Sequence, residues 1–85
     1  MYQEYSKIIV KRITSLCEQR GLSINPLSNM SGISRSTLEN LMTKKTFNPR
    51  MATLHKIALA FSMTLSEFLD FPELNNYDFD KEDGN

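Results

Sequence analysis

Ser23-Ile24-Asn25-Pro26-Leu27-Ser28-Asn29-Met30-Ser31-Gly32-Ile33-Ser34 is the stretch that decides how this chain folds. Ser23 and Ser34 are both strong helix N-cap residues, because a short side-chain oxygen can accept an N–H that the first helical turn leaves orphaned. Each has an apolar residue just before it and another at its fourth helical position: Leu22 with Leu27, and Ile33 with Leu38. That is the spacing of a hydrophobic staple, and it occurs twice. Pro26 falls in the first turn, where a missing N–H is tolerated, and it leaves the Asn25 N–H for Ser23 to cap. Gly32 stands where the first helix must stop and the chain reverse, through a left-handed conformation that only glycine adopts cheaply. The stretch predicts a short helix, a tight turn and the start of a second helix.

Upstream, Ile9, Ile13, Leu16 and Cys17 recur at helical spacing and Arg20-Gly21 closes the run, which predicts a first helix over about 3–20. The second helix then takes about 24–30, and the third about Arg35 to Thr43 with Leu38, Leu41 and Met42 inward. Lys44 to Pro49 reads as a loop, since Asn-Pro disfavours helix at Asn48. A fourth helix runs from about Arg50 to Phe61, with Met51, Leu54, Ile57, Ala58 and Phe61 as its apolar stripe. Thr64-Leu65-Ser66-Glu67 is a capping box, and Met63 with Phe68 makes a third staple, so a fifth helix starts there. From Pro72 the chain is polar, acidic and aperiodic, which predicts a largely disordered tail that folding can spare. The expectation is an all-α single domain: a compact bundle of about five short helices over residues 1–71, with an acidic tail at 72–85.

Composition narrows the chemistry. Of 85 residues, 40% are hydrophobic, enough for one lean core. The single Cys17 excludes an internal disulfide and a zinc cluster. His55 and Cys17 alone make neither a metal site nor a catalytic triad, so no enzyme activity, cofactor, metal or small-molecule ligand is expected. The five methionines read as soft packing. No segment approaches the roughly 20 apolar residues of a membrane span, and a cytoplasmic location is expected. The formal net charge of zero hides an asymmetry. Through Phe71 nine lysines and arginines face five acids, for +4; from Pro72 onward Lys81 faces five acids, for −4. A basic body of this kind fits a nucleic-acid partner.

Two short helices joined by so tight a turn are the unit that lays its second helix in the major groove of DNA. The residues carry a more specific likeness. Arg12-Ile13, Leu16 and Gly21-Leu22-Ser23, then Gly32 to Leu38, then Asn48-Pro49, Thr53-Leu54, Lys56-Ile57-Ala58, Ala60-Phe61, Leu65 and Glu67-Phe68-Leu69 resemble the helix-turn-helix domains of the phage repressor/Cro type. The likeness covers about residues 8–70 without a gap. It implies a lambda repressor-like bundle whose third helix reads DNA.

By position, the resemblance implies base reading by Arg35, Ser36, Thr37 and Asn40. Arginine can bond guanine bidentately, asparagine can bond adenine, and serine or threonine can meet either. Ordinary solvated surface is the alternative for Arg35 and Asn40. First-turn polarity is the alternative for Ser36 and Thr37. Ser23, Ile24, Thr43, Lys44, Lys45, Thr46 and Arg50 match backbone-contacting positions, which hold the duplex rather than read it.

Five residues depart from the pattern. Ile24 stands where the family often has a phosphate-clamping glutamine. Lys44 stands where glycine usually follows the recognition helix. Glu39 puts a negative charge on that helix: it could accept from cytosine N4 but also repels phosphate, and solvated surface or pairing within the chain is the expected role. Cys17 and Met42 replace the family's frequent arginine and glutamate, an ion pair tying the first helix to the third. Because both ends changed together, a buried apolar contact between them is expected.

The reading is a sequence-specific, double-stranded DNA-binding transcriptional regulator, expected to repress by occupying its site as a homodimer. The fifth helix and the residues around Phe71, Leu74, Tyr77 and Phe79 are candidates for the dimer surface. The rival is a protein-interaction module, an orphan helix-turn-helix or antitoxin-like partner that binds no DNA itself.

Overall fold

The computed structural model describes residues 3–43 and 49–80, and among these all regular structure is helical. The elements are α1 (Gln3–Arg20), α2 (Ile24–Ser31), α3 (Arg35–Met42), α4 (Met51–Ala60), α5 (Leu65–Leu69) and α6 (Pro72–Asn75). The first five match the expected helices.

One core joins them. Ile9, Ile13 and Leu16 of α1 meet Leu27, Leu38, Leu41, Leu54, Ile57, Ala58, Phe61, Phe68 and Phe71 in a single buried cluster. The three staples close as their spacing requires: Leu27, Ile33, Leu38 and Phe68 are in the cluster, with Leu22 and Met63 packed against it. Met51 departs from the expected stripe and is 58% exposed. As the first residue of α4 it lies beyond the edge of the core, which begins one turn later at Leu54.

Helix ends are settled locally and at a distance. After α1, Gly21 adopts φ +64°, and the Gly21 and Leu22 N–H groups donate to the Glu18 and Cys17 carbonyls at 3.3 and 2.9 Å. That is a Schellman motif, which satisfies carbonyls the helix end would otherwise leave bare. The same turn follows α4, but there Ser62 supplies the positive φ of 58°. At α5 the Thr64/Glu67 capping box is complete: Thr64 Oγ1 accepts the Glu67 N–H at 3.1 Å and Glu67 Oε1 accepts the Thr64 N–H at 2.8 Å.

The acidic stretch after Phe71 differs from expectation. Pro72 opens the one-turn helix α6, a position suited to its fixed φ and missing N–H. Phe71 is buried, Leu74 packs on the core, and α6 lies against α1. Tyr77 and Phe79 then surround Tyr5, with ring centroids 5.1 and 5.3 Å from it and 4.8 Å from each other. One helical turn is too short to display a period, and what orders it is burial against α1. Phe71 and Leu74 therefore serve the core, and only Phe79 of the proposed dimer residues is an exposed large hydrophobe, at 45%.

Candidate nucleic-acid interface

The turn between α2 and α3 is built by serines. Gly32 takes φ +74°, ψ 13°, and its N–H donates to the Ser28 carbonyl at 2.9 Å. Ser28 Oγ donates to the Ile33 carbonyl, and Ser31 Oγ accepts the Ile33 N–H at 3.2 Å. Both backbone groups of Ile33 are thus satisfied by α2 while its side chain enters the core. Ser28 and Ser31 were not among the sequence candidates. Two hydroxyls spaced three apart before a stop glycine are the signal that could have marked them.

Ser34 caps α3 as its sequence predicts, its Oγ accepting the Thr37 N–H at 3.2 Å and donating to Thr37 Oγ1 at 2.8 Å. Ser36 Oγ lies 3.4 Å from the same oxygen. Leu38 and Leu41 hold the inner face of α3 in the core. Arg35, Ser36, Thr37, Glu39, Asn40 and Thr43 are left exposed. All four base-reading candidates are therefore on the surface of one two-turn helix whose inner face is locked.

The outer face carries its own ion pair. Arg35 Nε donates to Glu39 Oε2 at 3.1 Å, with the two side chains 62% and 47% exposed. The pairing expected for Glu39 is thus within its own helix. Thr43 Oγ1 donates to the Glu39 carbonyl at 2.7 Å, so its hydroxyl closes the end of α3.

The backbone-contacting candidates fare differently. Ser23 is exposed but makes no side-chain cap, contrary to the expectation that it would hold the Asn25 N–H. With the Pro26 donor gone, the start of α2 is held by its staple and by the Leu27 N–H on the Ser23 carbonyl at 3.2 Å. Ile24 is half-buried. Arg50 is exposed at the start of α4 without a side-chain cap bond. Lys44, Lys45 and Thr46 lie outside the described residues.

Two cations of the basic body serve the fold. Arg12 donates to the Phe68 and Glu67 carbonyls, both at 3.0 Å. Arg20 donates to the Phe61 carbonyl at 3.3 Å and sits 5.3 Å from that ring's centroid. Among the described residues no group of three His, Cys, Asp or Glu side chains converges. No helix there is long and apolar enough to cross a membrane. Cys17 and Met42 both pack on the core, though half-buried rather than fully enclosed.

Comparison with known proteins bears on this surface. Residues 12–73 match the model of the Cro/C1-type helix-turn-helix DNA-binding domain. Over 63 residues the chain is 32% identical to the HTH-type transcriptional regulator PuuR of Escherichia coli (strain K12), a match covering 74% of this chain and 34% of that protein. PuuR of Shigella flexneri matches to the same extent. Among solved structures, an HTH_3 family transcriptional regulator from Vibrio cholerae superposes with a TM-score of 0.72 at 25% identity, over 89% of this chain and 40% of that one. The chain spans about a third of the length of the curated relatives it matches.

Proposed function

Because the chain belongs to the Cro/C1-type helix-turn-helix DNA-binding domain family, we propose that it is a sequence-specific transcriptional regulator that reads double-stranded DNA through α3. The observation that carries this is the division of α3: Leu38 and Leu41 anchored in the core, Arg35, Ser36, Thr37 and Asn40 presented outward. A reading helix must be rigid on one face and hydrogen-bond-rich on the other, because base discrimination depends on fixed donor and acceptor positions.

In this reading Arg35 and Asn40 contact base edges, with Ser36 and Thr37 beside them at the start of the helix. Ser23, Ile24, Thr43, Lys44, Lys45, Thr46 and Arg50 flank the phosphates. The uncapped start of α2 offers N–H groups to a phosphate. Arg50 at the start of α4 opposes the helix dipole, and a phosphate partner supplies a reason for a cation there. Thr43 contributes once its hydroxyl turns from the Glu39 carbonyl. One short helix spans few base pairs, so useful specificity calls for a two-fold dimer on half-sites about 34 Å apart. Repression follows from occupying a promoter site, and the work takes place in the cytoplasm. Residues 1–71 form the binding unit, and 72–85 an acidic extension of it.

Selection of bound duplexes from random DNA tests this directly. A motif with dyad symmetry should be enriched. On that motif Arg35→Ala or Asn40→Ala should cost about 1–3 kcal/mol and relax one base preference. Arg50→Ala should weaken all duplexes alike and reduce the salt slope by about one. Equal losses on motif and random DNA for Arg35→Ala would remove that residue from base reading. The protein-interaction alternative draws on the exposed Leu59, Met30 and Met51. It predicts no enrichment and no salt-dependent duplex binding.

A further inference from the structure

Arg35 and Glu39 form an ion pair that helix stability does not account for. Arg35 is the first residue of α3, where the helix dipole opposes a cation. The pair also runs arginine to glutamate along the chain, the weaker order for residues four apart. Both side chains are exposed, where ion pairs add little to stability. Geometry is what the pair does supply. The Glu39 carboxylate takes the Nε edge of the guanidinium at 3.1 Å, and a guanidinium offers five N–H donors in a rigid planar fork. With the Nε edge occupied, the end fork of Nη1 and Nη2 is left for a second partner, and that fork matches the O6 and N7 acceptors of guanine.

Resting on the reading of α3 as the base-reading helix, we propose that Glu39 is a positioning residue for specificity: it presents Arg35 end-on to a guanine. It acts in two ways. Holding Nε lowers the number of orientations the long side chain must give up on binding. Its negative charge also disfavours phosphate, so Arg35 is less free to settle on the backbone of any duplex. Both effects raise discrimination rather than affinity.

The test uses the 85-residue chain and a duplex enriched by it from random DNA. Four versions are made at the base pair where Arg35→Ala relaxes the preference, and four at each pair beside it. Dissociation constants are read by fluorescence anisotropy at one salt concentration, beside a random duplex. Wild type should favour guanine at that pair by about tenfold or more. Glu39→Ala should cut the preference to within about threefold and bind random duplex more tightly, the loss expected when a fixed bidentate contact becomes a mobile one. Glu39→Gln keeps an amide oxygen for Nε, so it should retain most of the discrimination while still gaining random-duplex affinity. Wild-type discrimination in Glu39→Ala would overturn the proposal. So would a loss confined to a neighbouring base pair, which would make Glu39 itself a cytosine reader. Enrichment with unchanged Glu39→Ala discrimination defeats the positioning role alone; absence of any enrichment by wild type defeats the DNA reading and this role with it.

Discussion

The Arg12 Nε–H donates to the Phe68 carbonyl at 3.0 Å across 56 residues of sequence, and Nη2 donates to the Glu67 carbonyl at the same distance. The guanidinium also lies 5.0 Å from the centroid of the Phe71 ring. Helix α5 has five residues, too few to be stable alone. A cation on its last carbonyls answers both their unmet acceptors and the dipole. Arg12→Ala should therefore lower stability by roughly 2–3 kcal/mol, from charged hydrogen bonds and the ring contact together. Arg12→Lys should restore only part, because an ammonium cannot reproduce the planar fork. Urea unfolding followed by circular dichroism reads both, and an unchanged midpoint for Arg12→Ala would show that the contact contributes nothing net.

The two left-handed turn positions call for opposite substitutions. Nothing lies within 4 Å of a Cβ added at Gly32, so Gly32→Ala meets only backbone strain at φ +74°. It should cost about 1–2 kcal/mol. Ser62 already bears that strain at φ 58°. Ser62→Gly should raise stability by about 0.5 kcal/mol, the strain relieved less the entropy that glycine adds to the unfolded chain. Thermal melts of the two variants should move in opposite directions.

Tyr77 joins the chain's end to its beginning. Its ring meets Tyr5 edge-on at an interplanar angle of 76° and Phe79 at 75°. Tyr77→Ala breaks both contacts and should cost roughly 1–3 kcal/mol, at about 0.5–1.5 kcal/mol per aromatic pair. Deleting residues 75–85 should lower the thermal midpoint too, contrary to the dispensable tail that composition suggests. A midpoint unaffected by the deletion would restore that simpler view.

The Cys17 thiol pKa is raised by burial, against a smaller lowering by Arg20. The folded state thus holds the thiol proton more tightly than the unfolded state. The resulting stability is present in full below the ordinary thiol range and is lost as pH climbs through and beyond it. Alkylation at pH 8 should be slower in the folded chain than in the urea-unfolded one, since the thiolate is the reactive form. Cys17→Ala should flatten the alkaline loss of stability, and an equal alkylation rate in both states would contradict the shift.

The features legible along the chain lie within a few residues of their cause. N-cap, staple and capping-box pairs act across three to five positions, so α2, α3 and α5 begin where Ser34, Thr64 and the apolar partners of each start require. Gly21 and Gly32 mark their turns for the same reason. The outward face of α3 was legible because its buried residues, Leu38 and Leu41, show a helical period. Tertiary structure alone decided the rest. Ser23 lost its capping role to the staple and backbone at the start of α2. Arg12 and Arg20 carry no local sign of the carbonyls they reach, which lie 55, 56 and 41 residues away along the chain. Helix α6 and the Tyr5–Tyr77–Phe79 cluster formed from a segment with no period of its own. Local signals are written in neighbouring side chains, whereas partners brought together by chain folding leave no spacing to read.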